Sequence, residues 1–229
     1  ETYNKSWYTS LLENSGFSIY EKFHTMINRE IKETVRKEIP IPPVDYKSSG
    51  IRVRKFNIFR FRKELKIIRD INNDAFGDNW HFLPLSSDEY RFSGRFLFFV
   101  TKPSMVQIAE YKGKAVGVTQ FVLNVNSILK SYRGRIRLID YPVILLKRSR
   151  IKEVIVFTFG IKKKFQKTRI AIAMIAESKK ILTKYQVAAT TWMSEKNKSA
   201  IRSAEALSLK PYKQFNMYSK AINIYHEDI

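Results

Sequence analysis

Thirteen Lys and Arg residues lie between Lys130 and Arg169, and only Asp140 and Glu153 oppose them. They fall in three groups: Lys130, Arg133, Arg135 and Arg137; Lys147, Arg148, Arg150 and Lys152; and Lys162, Lys163, Lys164, Lys167 and Arg169. The chain has 229 residues and a formal charge of +21, so more than half of its positive excess sits in forty residues. A general compositional drift, such as the richness in Ile, Asn, Phe and Tyr suggests, would spread that charge evenly. The chemistry of such a cluster is the docking of an anion. Nucleic acid is the less favoured anion, because its binders interleave aromatic rings with the cations so that bases can stack. Of the five aromatics in this stretch, Phe157 and Phe159 belong to an apolar run, which leaves Tyr132, Tyr141 and Phe165. An anionic membrane surface needs only charge and some apolar contact, and it stays open as a partner.

Other chemistries are excluded by what is missing. The chain has no Cys, which removes disulfides, thiolate nucleophiles, zinc ribbons and iron–sulfur clusters and agrees with a reducing compartment. The expected location is the cytoplasm, including the inner membrane surface. His24, His81 and His226 are too scattered to build a histidine metal site, so no metal is expected. No apolar run reaches the ~20 residues of a membrane span, and no signal-peptide pattern opens the chain. The first residue is Glu1, so the expectation is a piece of a longer protein.

The elements that must position these residues follow from periodicity. Trp7, Leu11 and Leu12 have helical spacing, and Gly16 stops that helix. Residues 17–28 alternate as strand, and the proline-rich residues 31–49 read as a linker. Residues 51–56 alternate strictly and predict a strand. Phe61, Leu65, Ile68 and Ile71 or Asn72 line one face of a helix over residues 60–76. Ser86 with Glu89 three residues on marks the start of the next helix. Lys112-Gly113-Lys114 turns a hairpin between strands at 105–111 and 115–123. A short helix over 124–132 precedes the basic stretch. Glu153 to Ile161 is a buried strand, residues 167–185 an amphipathic helix, 186–193 a strand, 197–207 a helix, and 209–224 a closing strand pair around Asn216. Strands alternating with helices after a meander predict a mixed α+β (α/β) fold: a central mixed, largely antiparallel sheet flanked by helices on both faces.

A shift of 192 residues superimposes Glu13 on Glu205, Tyr20 on Tyr212 and Phe23 on Phe215, each set following a helix. This internal repeat divides the chain into residues 1–30 as the tail of a first copy, 31–49 as a linker and 50–229 as a complete second copy.

Two segments resemble a known family. The run Asn72-Asn73-Asp74-Ala75-Phe76-Gly77-Asp78-Asn79-Trp80-His81-Phe82-Leu83-Pro84-Leu85 is similar to a segment of bacterial tandem proteins related to the GNAT acyltransferases. So is the block with Phe159-Gly160-Ile161, Trp192, Glu195, Asn197, Ile201, Glu205-Ala206-Leu207 and Pro211-Tyr212-Lys213. The resemblance covers roughly residues 50–220, and the order of elements agrees with it.

The resemblance implies an acyl-CoA-dependent N-acyltransferase, with acetyl-CoA or another acyl-CoA as co-substrate and an amine acceptor. It implies that the strand through Phe159, Gly160 and Ile161 splays from its neighbour to hold the pantetheine arm. Gln166, Lys167, Thr168, Arg169, Ile170 and Ala171 would then cradle the pyrophosphate at a helix start, with Asn197 carried over as a further cofactor contact. The family pattern places glycine where this chain has Arg169, and no glycine follows Gly160. Arg169 either crowds the phosphates or adds a charged contact. An amine with a pKa of about 10 must shed a proton before it attacks. The candidates are Glu110, Glu153 and Glu195, with Tyr212 in place of the family's tyrosine acid, whose position is Ala204 here. Asn79, Trp80 and Trp192 are the expected acceptor-groove residues. The alternative is a catalytically degenerate GNAT-shaped module that uses its basic face on anionic lipid or nucleic acid.

Overall fold

The computed structural model describes residues 4–38, 49–79, 82–133, 135 and 137–221. Eight strands form one sheet: β1 (Ser18–Asn28), β2 (Ile51–Lys55), β3 (Val106–Tyr111), β4 (Lys114–Leu123), β5 (Glu153–Ile161), β6 (Val187–Thr190), β7 (Met193–Ser194) and β8 (Lys210–Ser219). The order is β2-β3-β4-β5-β6-β1, with β8 on the far side of β1. Ile27 faces both Ala189 and Lys210, and Phe23 faces both Ser194 and Phe215. The short strands β6 and β7 therefore share one edge of β1, and β8 takes the other. Every pairing is antiparallel except β5 with β6. The β3–β4 connection is a two-residue turn with positive φ at both Lys112 and Gly113, the geometry that matches the twist of a hairpin.

Helices cover both faces. On one side α3 (Phe61–Phe76) turns Leu65, Ile68 and Ile71 onto Val106, Ile108 and Val118. Beside it lies α4 (Ser87–Val100), started by a full capping box between Ser86 and Glu89. On the other side α7 (Arg169–Leu182) buries Ile170, Ala173 and Met174 against Ile51, Ala109, Val116 and Ile161. Fully buried Ile68, Ile71, Ile108 and Met174 each contribute roughly 1.5–3 kcal/mol. Gly117 lets α7 come this close, since a Cβ there would stand 2.6 Å from the Met174 sulfur. Two short helices, α5 (Asn126–Lys130) and α6 (Tyr141–Lys147), occupy the connection from β4 to β5. The last helix, α8 (Lys198–Ala206), buries Ala204.

The N-terminal segment corrects the sequence reading in one place. The expected linker begins with a helix, α2 (Ile31–Lys37), whose Ile31 is fully buried and donates its backbone N–H to Gln186 O at 3.0 Å. Glu38, just after it, pairs with Lys179 and accepts from Ser208. Seven residues carry too few apolar positions to stand out beside the prolines that follow.

The expected closing hairpin is also different. Lys210 to Ser219 is one continuous strand, and its partner is β1 from the other end of the chain. The expected strand over 186–193 is broken between β6 and β7, at Thr191 and Trp192.

The 192-residue repeat has a geometric counterpart. Phe23 and Phe215 stand directly opposite each other, Lys22 faces Asn216, and His24 faces Gln214. Because 23 plus 192 is 215, the two repeat segments pair antiparallel about a local dyad between these phenylalanines. The helix before β1, α1 (Trp7–Asn14), maps by the same shift onto α8. It ends where Gly16, at φ +81°, and Phe17 donate to Glu13 O and Leu12 O. Unlike α8 it buries nothing, and Trp7, Tyr8 and Leu11 are exposed.

Candidate active site

The sheet opens at Phe157. On the β6 side, β5 pairs through Glu153, Val154, Ile155 and Val156, ending at Val156 opposite Thr190. A last backbone contact runs from Thr191 N–H to Val156 O at 3.4 Å. On the β4 side pairing continues to Ile161, with Phe157 as an extra bulged residue between Val156 and Thr158. From Phe157 to Ile161 one edge of β5 therefore has no strand partner among the described residues. Parallel strands stay together only while their backbones keep a common direction, and the bulge turns β5 away just where β6 ends. Phe157 and Trp192 stand exposed at this opening, the indole 5.2 Å from the Phe23 ring.

The unpaired edge leads into the basic loop. Lys162 N–H donates to Val116 O, a 3-10 turn spans Lys163–Phe165, and Gln166 Nε2 donates to Ile161 O at 3.1 Å. Thr168 caps α7 by accepting from Ile170 N–H and donates its hydroxyl to Phe165 O at 2.7 Å. Lys167, Thr168 and Arg169 keep their backbone N–H groups without an acceptor among the described residues. Three free donors at the start of a 14-residue helix make a site for an anion. Among the described residues Lys162, Lys164, Lys167 and Arg169 form no ion pair, whereas Lys163 is held by Asp78 at 2.6 Å and by Asp74, which accepts from its backbone at 2.7 Å. Phe159 and Ala171 pack partly buried beside Ile161 and Ile170, and Gly160 is roofed by Phe76 and Ala75.

The proton-transfer candidates are dispersed. Glu110 accepts from Arg54 Nε at 2.6 Å, and the same guanidinium holds the buried Glu64 at 2.6 Å. Burial disfavours the charged Arg54, but the two carboxylates outweigh it and push its pKa up. This triad lines a basic cleft of about 850 Å³ between α3, β2 and the β3–β4 turn. Glu153 accepts from Asn124 at 2.8 Å and sits at the closed end of β5, roughly 26 Å from Ile161 at ~3.3 Å per residue. Glu195 follows β7, half-buried, with no side-chain partner among the described residues. Its backbone N–H bonds Lys22 O at 3.0 Å. Tyr212, the candidate acid, is exposed on β8 with Arg29 5.1 Å from its ring centre. The β1–β8 register skips it as a bulge.

Asn197 caps α8 by accepting from Ala200 N–H at 3.0 Å. Asn79 shapes the turn after α3 through Phe76 O and Phe82 N–H. Trp80 lies outside the described residues.

Two polar groups went unnoticed in the sequence. Asn72 donates to the buried Tyr90 hydroxyl at 3.1 Å, under α3 and α4 and beside Gln120, which faces Thr158 next to the bulge. Burial pushes the Tyr90 phenol well up, against Asn72 and Gln120, and the Asn72 carbonyl oxygen is buried without a partner. The available signal was an Asn on the apolar face of α3. Glu21, buried on β1, accepts from Ser194 and Lys196, and these bonds hold its carboxyl below the usual range. Among the described residues no group of His, Asp and Glu could hold a metal ion.

The fold has close counterparts among solved structures. A GCN5-related N-acetyltransferase from Sphaerobacter thermophilus superimposes with a TM-score of 0.61 at 12% identity, over 93% of this chain and 56% of that one. The chain has the GNAT fold. A tandem GNAT protein from the clavulanic acid biosynthesis pathway superimposes with a TM-score of 0.52 at 8% identity, over 95% and 59%. In sequence, the chain is 29% identical over 185 residues to the bacterial ceramide synthase of Caulobacter vibrioides, covering 76% of this chain and 47% of that protein. It is 24% identical over 233 residues to Protein YghO of Escherichia coli, covering 96% and 58%. The chain thus spans about half the length of these curated relatives. No protein-family model matches it. The strand β5 is the one that precedes the long helix α7, and its pairing with β6 ends at Val156, before the Phe159-Gly160-Ile161 segment that the resemblance singles out.

Proposed function

We propose that this chain is an acyltransferase domain that takes an acyl-CoA as donor and transfers the acyl group to an amine. The observation that supports it best is the unpaired β5 edge from Phe157 to Ile161, running into three free N–H groups at the start of α7. An amide-bearing arm laid along that edge would complete the backbone ladder, and a pyrophosphate would lie on the donors of Lys167, Thr168 and Arg169. The residues present fit such a group: Lys164, Lys167 and Arg169 form no ion pair among the described residues. Arg169 adds charge where the family has glycine. The donor would supply an acyl thioester. As the amine nitrogen forms its bond to the acyl carbon, the carbon–sulfur bond breaks, one amine proton passes to a base and the departing sulfur is protonated.

Of the three carboxylates, Glu110 is engaged by Arg54, and Glu153 is remote and held by Asn124. Glu195, three residues beyond the exposed Trp192, is assigned to accept the proton, directly or through water. The acceptor class we infer is an amine-bearing lipid, by analogy with the relative named a ceramide synthase and because Phe157 and Trp192 leave an apolar rim at the opening.

The test is thermal stabilisation by acetyl-CoA and by a long-chain acyl-CoA at two salt concentrations, beside an RNA oligomer. Stabilisation by one of the CoA esters, with Arg169→Ala weakening affinity about tenfold, is the expected outcome. No response to either ester beside salt-sensitive RNA binding would sink the reading in favour of a degenerate module. Turnover is measured as thiol released from CoA, a signal the protein cannot contribute to because it has no Cys. Glu195→Gln is expected to lower kcat by 10²–10⁴, on the order of a lost general base, with little change in KM.

A further inference from the structure

We propose that residues 139–150, in the connection between β4 and β5, form an interfacial anchor that seats the protein on an anionic lipid bilayer. Ile139, Val143 and Leu146 are 69%, 42% and 74% exposed. They are spaced i, i+4 and i+7, so they form one stripe along α6 and the 3-10 turn before it. Ile144, between them, is only 5% exposed and pins the helix with that stripe outward. Cations bracket it on both sides: Arg133, Arg135 and Arg137 before, Lys147, Arg148 and Arg150 after. The one carboxylate of residues 130–150, Asp140, is taken by Arg137 at 3.6 Å.

An aliphatic stripe flanked along the chain by six cations, against one carboxylate, matches the cross-section of a charged bilayer. The aliphatic side chains enter the acyl region while the long Lys and Arg stems rise to the phosphates. A nucleic acid would use the cations and leave the aliphatics bare, and Tyr132 and Tyr141 are both partly covered. The stripe would lie in the plane of the interface; no helix among the described residues is long and apolar enough to cross a membrane. The connection that carries the stripe leaves β4 and enters β5 at the end of β5 opposite the loop of residues 162–168. The inference stands on exposure and charge alone and does not depend on the acyltransferase reading.

The experiment is co-sedimentation of the full chain with vesicles of phosphatidylglycerol and phosphatidylcholine, or of phosphatidylcholine only. Binding to the anionic vesicles is expected to exceed binding to the neutral ones by about tenfold and to fall with salt. The double variant Ile139→Ser/Leu146→Ser should lose about tenfold in binding, with its melting temperature unchanged because both side chains are already in water. Lys147→Gln/Arg150→Gln should lose the salt-sensitive part. A dye on Leu146→Cys, a unique thiol in this chain, should shift to the blue on anionic vesicles. Absence of vesicle binding, or equal binding by the aliphatic variant, overturns the proposal. So does RNA binding in its place that the aliphatic variant leaves intact. Self-association abolished by Ile139→Ser/Leu146→Ser, without lipid binding, would instead assign the stripe to a second copy.

Discussion

Lys167 holds a φ of +60° in a loop where a glycine would adopt it without strain. That conformation costs a side-chain-bearing residue roughly 1 kcal/mol, and it aims three N–H groups outward at the head of α7. Lys167→Gly is expected to raise stability by about 0.5–1 kcal/mol, part of the relief being offset by a more flexible unfolded chain. Urea unfolding checks this, and a fall in the midpoint would mean that the Lys167 side chain holds the loop in some other way. Gln166, Thr168 and Arg169 are singled out in the sequence only by resemblance to a family pattern; the cap by Thr168 and the loop closure by Gln166 are visible in the structure alone. The sequence hid the triad of Arg54, Glu64 and Glu110, because Arg54 and Glu110 meet only through the β2–β3 register, 56 residues apart. Glu110 looked like a free base from the sequence for the same reason.

At the scale of elements, the close seat of α7 on β4 depends on Gly117. Its missing Cβ would meet the fully buried Met174 at 2.6 Å and Ala109 at 3.4 Å. Gly117→Ala should destabilise by about 1–3 kcal/mol and push the head of α7 outward, weakening CoA affinity along with stability. A thermal melt paired with calorimetric titration separates the two effects, and unchanged values in both would refute the packing argument. Long amphipathic helices were readable from spacing, since α3 and α7 bury the residues their periodicity selects. Two elements were not. Helix α2 is too short to show a stripe. The strand β8 was read as a hairpin because its partner β1 lies about 190 residues away, and no local signal names a partner at that distance. A shift of 192 in the sequence gives no hint that the two segments pair with each other, and the register of Phe23 opposite Phe215 is visible in the structure alone.

For the whole molecule, the N-terminal segment is tied to the rest by two carboxylates. Glu21 is bound by Lys196 and Ser194, and these bonds lower its pKa. Glu38 is raised by burial but lowered further by Lys179 and Ser208, so its net shift is also downward from 4.5. A carboxyl that ionises more easily folded than unfolded stabilises above its ordinary value and loses that stabilisation as pH falls through 4.5 toward the folded value. The urea midpoint should therefore be level from pH 7 to 5 and drop below about 4.5. Glu21→Gln/Glu38→Gln should start lower and drop less, and an equally steep fall in that variant would place the acid sensitivity elsewhere. Layering and sheet class could be read from the alternation of strands and helices, whereas the insertion of β1 between β6 and β8 could not. The gap beside β5 has a consequence for solvent. Along Phe157 to Ile161 the edge facing β6 has no strand partner among the described residues, and the exposed rings of Phe157 and Trp192 lie at its open end. Closing that seam expels water from polar backbone and aromatic surface at once. Occupancy should therefore appear as a negative heat-capacity change and as slowed exchange of those amides between Phe157 and Ile161 that point away from β4, with the sheet on either side unchanged.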